Sequence, residues 1–84
     1  MKMFILKSCP HCKRAQTWIT KLKNENPMYQ NIEIELIDEQ VNSEVANQYD
    51  YYYVPTFYLG AQKKLEGALT RAQIQALLDE AAAG

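Results

Sequence analysis

The chain has 84 residues, 48% of them hydrophobic and 23% charged, with a formal net charge of −1. That length holds one domain, residues 1–84, and the composition is that of a folded globule rather than a disordered or fibrous chain. The balanced charge argues against nucleic acid and anionic membranes as partners, and no apolar run approaches the roughly eighteen residues that cross a bilayer.

Met3–Leu6 is continuously apolar, which predicts a strand buried on both faces and central in its sheet. Lys7 closes that stretch well short of the about seven to fifteen apolar residues of a secretory signal, so a cytoplasmic location is expected. Ser8 and Cys9 predict a short turn, and Pro10 suits the first turn of a helix. Ala15, Trp18, Ile19 and Leu22 recur with helical spacing and form one apolar face. Asn24-Glu25-Asn26-Pro27 ends that helix.

Residues 31–37 alternate, with Ile32, Ile34 and Leu36 apolar, which predicts a half-exposed strand at a sheet edge. Asn42 or Ser43 caps a short helix whose buried face is Val45, Ala46 and Tyr49. Asp50 is a candidate left-handed terminator for it. Residues 51–59 are aromatic and β-branched, strand material interrupted by Pro55. Gly60-Ala61-Gln62 makes a turn, and residues 63–66 return as a short strand. Thr70 and Gln73 have capping-box spacing ahead of an apolar face of Ile74, Leu77, Leu78 and Ala81. The order is β-α-β-α-β-β-α. Its first unit requires parallel strands, and its last two strands form an antiparallel hairpin.

The chemistry is concentrated in Cys9-Pro10-His11-Cys12. Two cysteines are too few for a disulfide-stapled secreted domain, so the pair is free to react. With Cys9 at the helix N-cap, the free N–H groups of the first turn favour its thiolate. Cys12, one turn in, is more buried and less ionised. Cys9 then attacks a substrate disulfide, and Cys12 resolves the mixed disulfide. Pro10 rigidifies the turn. His11 favours the thiolate as a cation or as an N–H donor, which makes the disulfide a better oxidant. The alternative is a metal or iron–sulfur carrier. A Cys-x-x-Cys is half of a zinc site, and four ligands would require a second chain, so this reading uses Cys9 and Cys12 in a dimer. Lys13 and Arg14 read equally as a solvated helix face or as substrate contacts.

Together these residues resemble the thioredoxin superfamily. Phe4–Cys9 followed by Cys12-Lys13-Arg14-Ala15 is similar to the glutaredoxin opening, with His11 in place of the usual tyrosine. Tyr49–Thr56 and Glu66–Ile74 look more like thioredoxin. The resemblance implies a thioredoxin-like fold: a four-stranded mixed sheet flanked by three helices. It implies a cis Val54–Pro55 bond opposite the cysteines, with the Val54 backbone offered to an extended substrate and Thr56 in support. Lys7, Lys13, Tyr53, Val54, Pro55 and Thr56 are the substrate-binding candidates, and Tyr53 either narrows the groove or brings a hydroxyl near Cys9. The implied activity is thiol–disulfide exchange with protein disulfides, with no bound cofactor. Recycling is by a thioredoxin-reductase-like flavoprotein or by glutathione, which is also a candidate co-substrate, and a monomer is expected. The sequence departs from the family at five places, one of them Tyr53, which stands where thioredoxins often have a glycine before the Val/Ile-Pro pair. Met3 stands where thioredoxins carry a buried acid, Ser8 where they carry tryptophan, and Leu6 where glutaredoxins carry a basic residue. Glu66-Gly67-Ala68-Leu69 replaces the glutaredoxin glutathione-carboxylate site, and Glu66 repels an anionic tripeptide there. Of the tyrosines, Tyr49 and Tyr58 are core candidates. Of Tyr51, Tyr52 and Tyr53, one turns inward and the others flank the active site.

Overall fold

The computed structural model describes residues 1–84. Its elements are β1 (Lys2–Ile5), α1 (Pro10–Glu25), a 3-10 turn (Pro27–Tyr29), β2 (Glu35–Asp38), α2 (Ser43–Ala46), β3 (Thr56–Leu59), β4 (Gln62–Glu66) and α3 (Arg71–Ala83). The sheet runs β2-β1-β3-β4, with β1 parallel to β2 and the other two pairs antiparallel. This is the thioredoxin-like β-α-β-α-β-β-α architecture expected from the sequence.

Strand alternation explains why β1 is apolar throughout. Met3 and Ile5 point to one face, where they meet Ala15, Ile19 and Leu22 of α1, Ile74, Leu77 and Leu78 of α3, and Phe57 of β3. Phe4 points to the other face and packs with Ile37, Ala46 and Tyr58. Tyr49 and Tyr51 extend that second cluster, their ring centroids 4.8 and 4.9 Å from that of Phe4. Trp18 packs at the margin of the larger core as a half-buried residue. The capping box of α3 forms as predicted: Gln73 N–H donates to the Thr70 hydroxyl, and Thr70 N–H to the Gln73 side chain.

Several element bounds and burial assignments depart from the sequence reading. The ladder of β2 begins only at the Lys2–Glu35 pair, so residues 31–34 are not strand, although Ile32 and Ile34 still pack on the larger core. Leu36, expected inside, is 50% exposed, while Ile37 is buried. At this edge α1 does not cover Leu36, whereas Ile37 lies beneath α2. Val45 is similarly open, because α2 is a single turn. It unwinds through successive turn bonds from Gln48 to Val45 and Tyr49 to Ala46, and Asp50 does not take a positive φ. Its carbonyl instead accepts the Tyr58 hydroxyl at 2.7 Å. Finally, β3 starts at Thr56, not at Tyr51. The amide hydrogens of Tyr52 and Tyr53 go to the Glu66 carboxylate instead of a neighbouring strand, and Pro55 has none to give. Tyr29 was not expected in the core. It is 1% exposed, and its hydroxyl donates to Asp79 of α3.

Candidate active site

The carboxyl end of β1 delivers the chain into a turn closed by Cys9 N–H to Leu6 carbonyl at 3.1 Å. Cys9 follows as the N-cap of α1 with extended backbone, and Pro10 occupies the first helical turn. The Cys9 carbonyl already accepts the Lys13 amide at 3.2 Å. No side chain caps this helix, so its first amides are left facing the Cys9 sulfur.

Both cysteines are free thiols, Cys9 half-buried and Cys12 1% exposed. Their acidities are driven apart. Burial pushes the Cys9 thiol up. The Cys12 amide, the Cys12 thiol and the His11 amide more than offset this and hold its pKa below the ordinary 9.0. Burial pushes Cys12 up to about 12, with the negative charges of Cys9 and Glu39 adding to it against a Leu6 amide that lowers it. What His11 supplies to the sulfur is its backbone N–H; its ring, expected to act, is exposed.

Opposite the thiols lies the loop before β3. The Val54–Pro55 bond is cis, and the Cys9 thiol is directed at the Val54 carbonyl, 3.8 Å away. Pro55 and Thr56 are fully buried, so neither side chain offers a contact surface to substrate. The Thr56 hydroxyl donates to the Tyr53 carbonyl, which is support for the loop. Tyr52 and Tyr53 are 83% and 70% exposed, while Tyr51 turns inward onto Phe4.

The remaining candidates scatter. Lys7 is exposed in the turn before Cys9. Lys13 faces a depression on the outer side of α1, lined by Lys13, Gln16, Thr17, Thr20 and Lys21, which neither cysteine reaches. No cluster of three or more His, Cys, Asp or Glu side chains is placed to hold a metal ion. Neither cysteine, nor Val54 or Pro55, lines any of the surface depressions. Glu66, read from sequence only as an unhelpful charge, is bound into the loop itself. The clue available in the sequence was its place at the end of a strand, directly before Gly67.

A family model described as thioredoxin matches residues 3–80. The chain belongs to the thioredoxin family. A thioredoxin of Methanocaldococcus jannaschii is 30% identical over 71 residues, covering 84% of this chain and 81% of that protein. Family membership and the Cys9/Cys12 pair make this a protein-disulfide oxidoreductase in the general sense, acting on disulfide substrates. The N-cap cysteine, the buried second thiol and the cis-proline loop facing them all lie within the matched residues. No helix is long and apolar enough to cross a membrane.

Proposed function

We propose that this thioredoxin-family chain reduces protein disulfides through Cys9 and Cys12, in preference to glutathione mixed disulfides. The observation that carries the reading is the split between the two thiols at one helix start: Cys9 acidified and accessible, Cys12 buried and pushed up to about 12. The Cys9 thiolate attacks one sulfur of the substrate disulfide. A Cys9–substrate disulfide forms, and the other substrate sulfur leaves as thiolate, which takes up a proton. Cys12 then gives up its proton and attacks the Cys9 sulfur. The Cys9–Cys12 disulfide forms, the second substrate thiol departs, and two electrons have passed to the substrate.

Two features support a macromolecular substrate. Cys9 lines no cleft, and Tyr52 and Tyr53 of the loop that reaches it are exposed, which suits a polypeptide better than a small ligand needing a pocket. The Val54 carbonyl beside Cys9 is a backbone group for an extended chain to pair with. Pro10 and the His11 amide act by shaping the first turn, Pro55 and Thr56 by supporting the loop, and Tyr53 by direct contact. Lys7 contributes long-range charge only, and Lys13 faces away. A thioredoxin-reductase-like flavoprotein is the reductant this reading favours, with the protein acting as a cytoplasmic monomer.

Trapping separates the cases. Replacing Cys12 with Ser is expected to accumulate Cys9-linked protein substrates under mild oxidation, and replacing Cys9 with Ser to accumulate none. Insulin reduction with thioredoxin reductase is expected to exceed hydroxyethyl-disulfide turnover with glutathione; the reverse order would overturn the substrate preference.

A further inference from the structure

Four ion pairs decorate the surface, and three of them join side chain to side chain only: Lys2–Glu35, Lys64–Glu80 and Arg71–Glu25. Such exposed pairs contribute little. The fourth differs. Glu66, at the end of β4, takes Lys63 on one carboxylate oxygen at 2.9 Å. On its other oxygen it accepts two backbone amides, Tyr52 and Tyr53, the latter at 3.0 Å. These amides belong to the loop that ends in Val54 and Pro55.

Next in sequence, the Gly67 amide donates to the Pro55 carbonyl at 2.9 Å. Gly67 does so at φ +87, a conformation that other residues adopt only under strain. Thr56, paired across the sheet with Glu66, donates its hydroxyl to the Tyr53 carbonyl. The loop is thus gripped at Tyr52, Tyr53 and Pro55, on both sides of the Val54 carbonyl. Only Glu66 among these anchors is charged, and hydrogen bonds to an ionised acceptor are the stronger kind. The Tyr52 amide, Lys63 and the Tyr53 amide hold its carboxyl down at about 2, so it stays ionised at any working pH.

We propose that Glu66 is a positioning residue for disulfide exchange: its carboxylate pins the Tyr52–Tyr53 backbone and so fixes the Val54 carbonyl, 3.8 Å from Cys9 Sγ, as a docking edge for the substrate chain. The inference rests on the oxidoreductase reading above and adds a residue to it. Glu66 touches neither the thiols nor the substrate. Its effect is on where the substrate backbone settles relative to the attacking sulfur, and small displacements there are costly.

The test is steady-state reduction of insulin with dithiothreitol as electron donor, comparing wild type, Glu66→Ala and Glu66→Gln. For Glu66→Ala, KM is expected to rise about tenfold, the equivalent of about 1.4 kcal/mol in docking. The value of kcat should fall by less, about threefold at most, and the ultraviolet titration of the Cys9 thiolate should stay in place. Added formate, which refills the carboxylate position, should lower KM again where chloride at equal ionic strength does not. Glu66→Gln keeps one accepting oxygen for the amides and should fall between the two. A folded Glu66→Ala with wild-type KM would overturn the proposal, as would a formate effect no larger than that of chloride. Should Glu66→Ala fail to fold, an unchanged KM in Glu66→Gln overturns it equally, and a raised one supports it. An inactive wild type would sink the oxidoreductase reading and this role with it; an active wild type matched by both variants sinks this role alone.

Discussion

At the scale of single residues, chemistry here is decided by which backbone amides a side chain meets. Cys9 becomes the acidic thiol because an uncapped helix start presents the His11 and Cys12 amides to it, and this outweighs its partial burial. Cys12, only three residues on, has one turn of helix and the larger core around it, and burial governs. Reduced protein should therefore titrate in two well-separated steps. Alkylation rates of each cysteine followed against pH should place the Cys9 step below pH 9 and the Cys12 step toward pH 12. Limited iodoacetamide at neutral pH is expected to modify Cys9 and spare Cys12, as peptide mapping would show. Stabilising the thiolate also stabilises the reduced pair. Pro10-His11 between the cysteines is expected to place the Cys9–Cys12 potential above the thioredoxin value of about −270 mV, and equilibration with glutathione measures it. A different residue-scale effect concerns Tyr51, whose hydroxyl is buried with no protein partner. An unsatisfied buried hydroxyl costs about 1–3 kcal/mol, so Tyr51→Phe is expected to leave the melting temperature unchanged or raise it.

At the scale of elements, the joints matter more than the elements. The capping box that starts α3 couples Thr70 to Gln73, and Thr70→Ala should cost about 1 kcal/mol in urea unfolding. The hydroxyl of Tyr29 ties the turn after α1 to Asp79 near the end of α3. Removing it with Tyr29→Phe leaves the exposed Asp79 carboxylate to water, so a loss of about 0.5–1.5 kcal/mol, the net worth of the bond, is expected by the same measurement. The end of β4 does a comparable job on the functional side, where Glu66 and Gly67 hold the loop that faces Cys9.

At the scale of the whole molecule, two cores share one sheet, and the larger carries both the second thiol and the α1–α3 interface. Ile74 and Leu78, each 1% exposed, should cost about 2–5 kcal/mol on truncation to alanine, read by chemical denaturation. Stability should also respond to alkali in a defined window. Cys12 and Tyr51 are each pushed up to about 12, chiefly by burial, from ordinary values of 9.0 and 10.0. The unfolded chain therefore loses these protons first. The stabilisation is complete below pH 9 and is lost as pH climbs toward 12. Cys9, held below 9.0, works in the opposite sense: its contribution is present above pH 9 and fades as pH falls through its folded value. Melting temperatures of the reduced protein should fall steeply between pH 9 and pH 12, and Cys12→Ala should flatten that decline.

Much of this was legible in the residues alone, for a physical reason: strand and helix periodicities, caps and the Cys-x-x-Cys spacing are local. They determined the element order, the central apolar strand, the α3 cap and Cys9 as a helix N-cap next to a more buried Cys12. Resemblance supplied the cis Val54–Pro55 bond. Tertiary structure alone decided what depends on partners distant in sequence. Leu36 is open because α1 leaves its face of the edge strand uncovered while α2 covers the other, and Tyr29 is buried because α3 packs beside it. Residues 51–54 are loop, with the Tyr52 and Tyr53 amides turned to a carboxylate rather than a strand. Glu66 changed most. From sequence it is a charge in an inconvenient place. Folded, it meets two amides more than a dozen residues away, and no local pattern encodes that meeting.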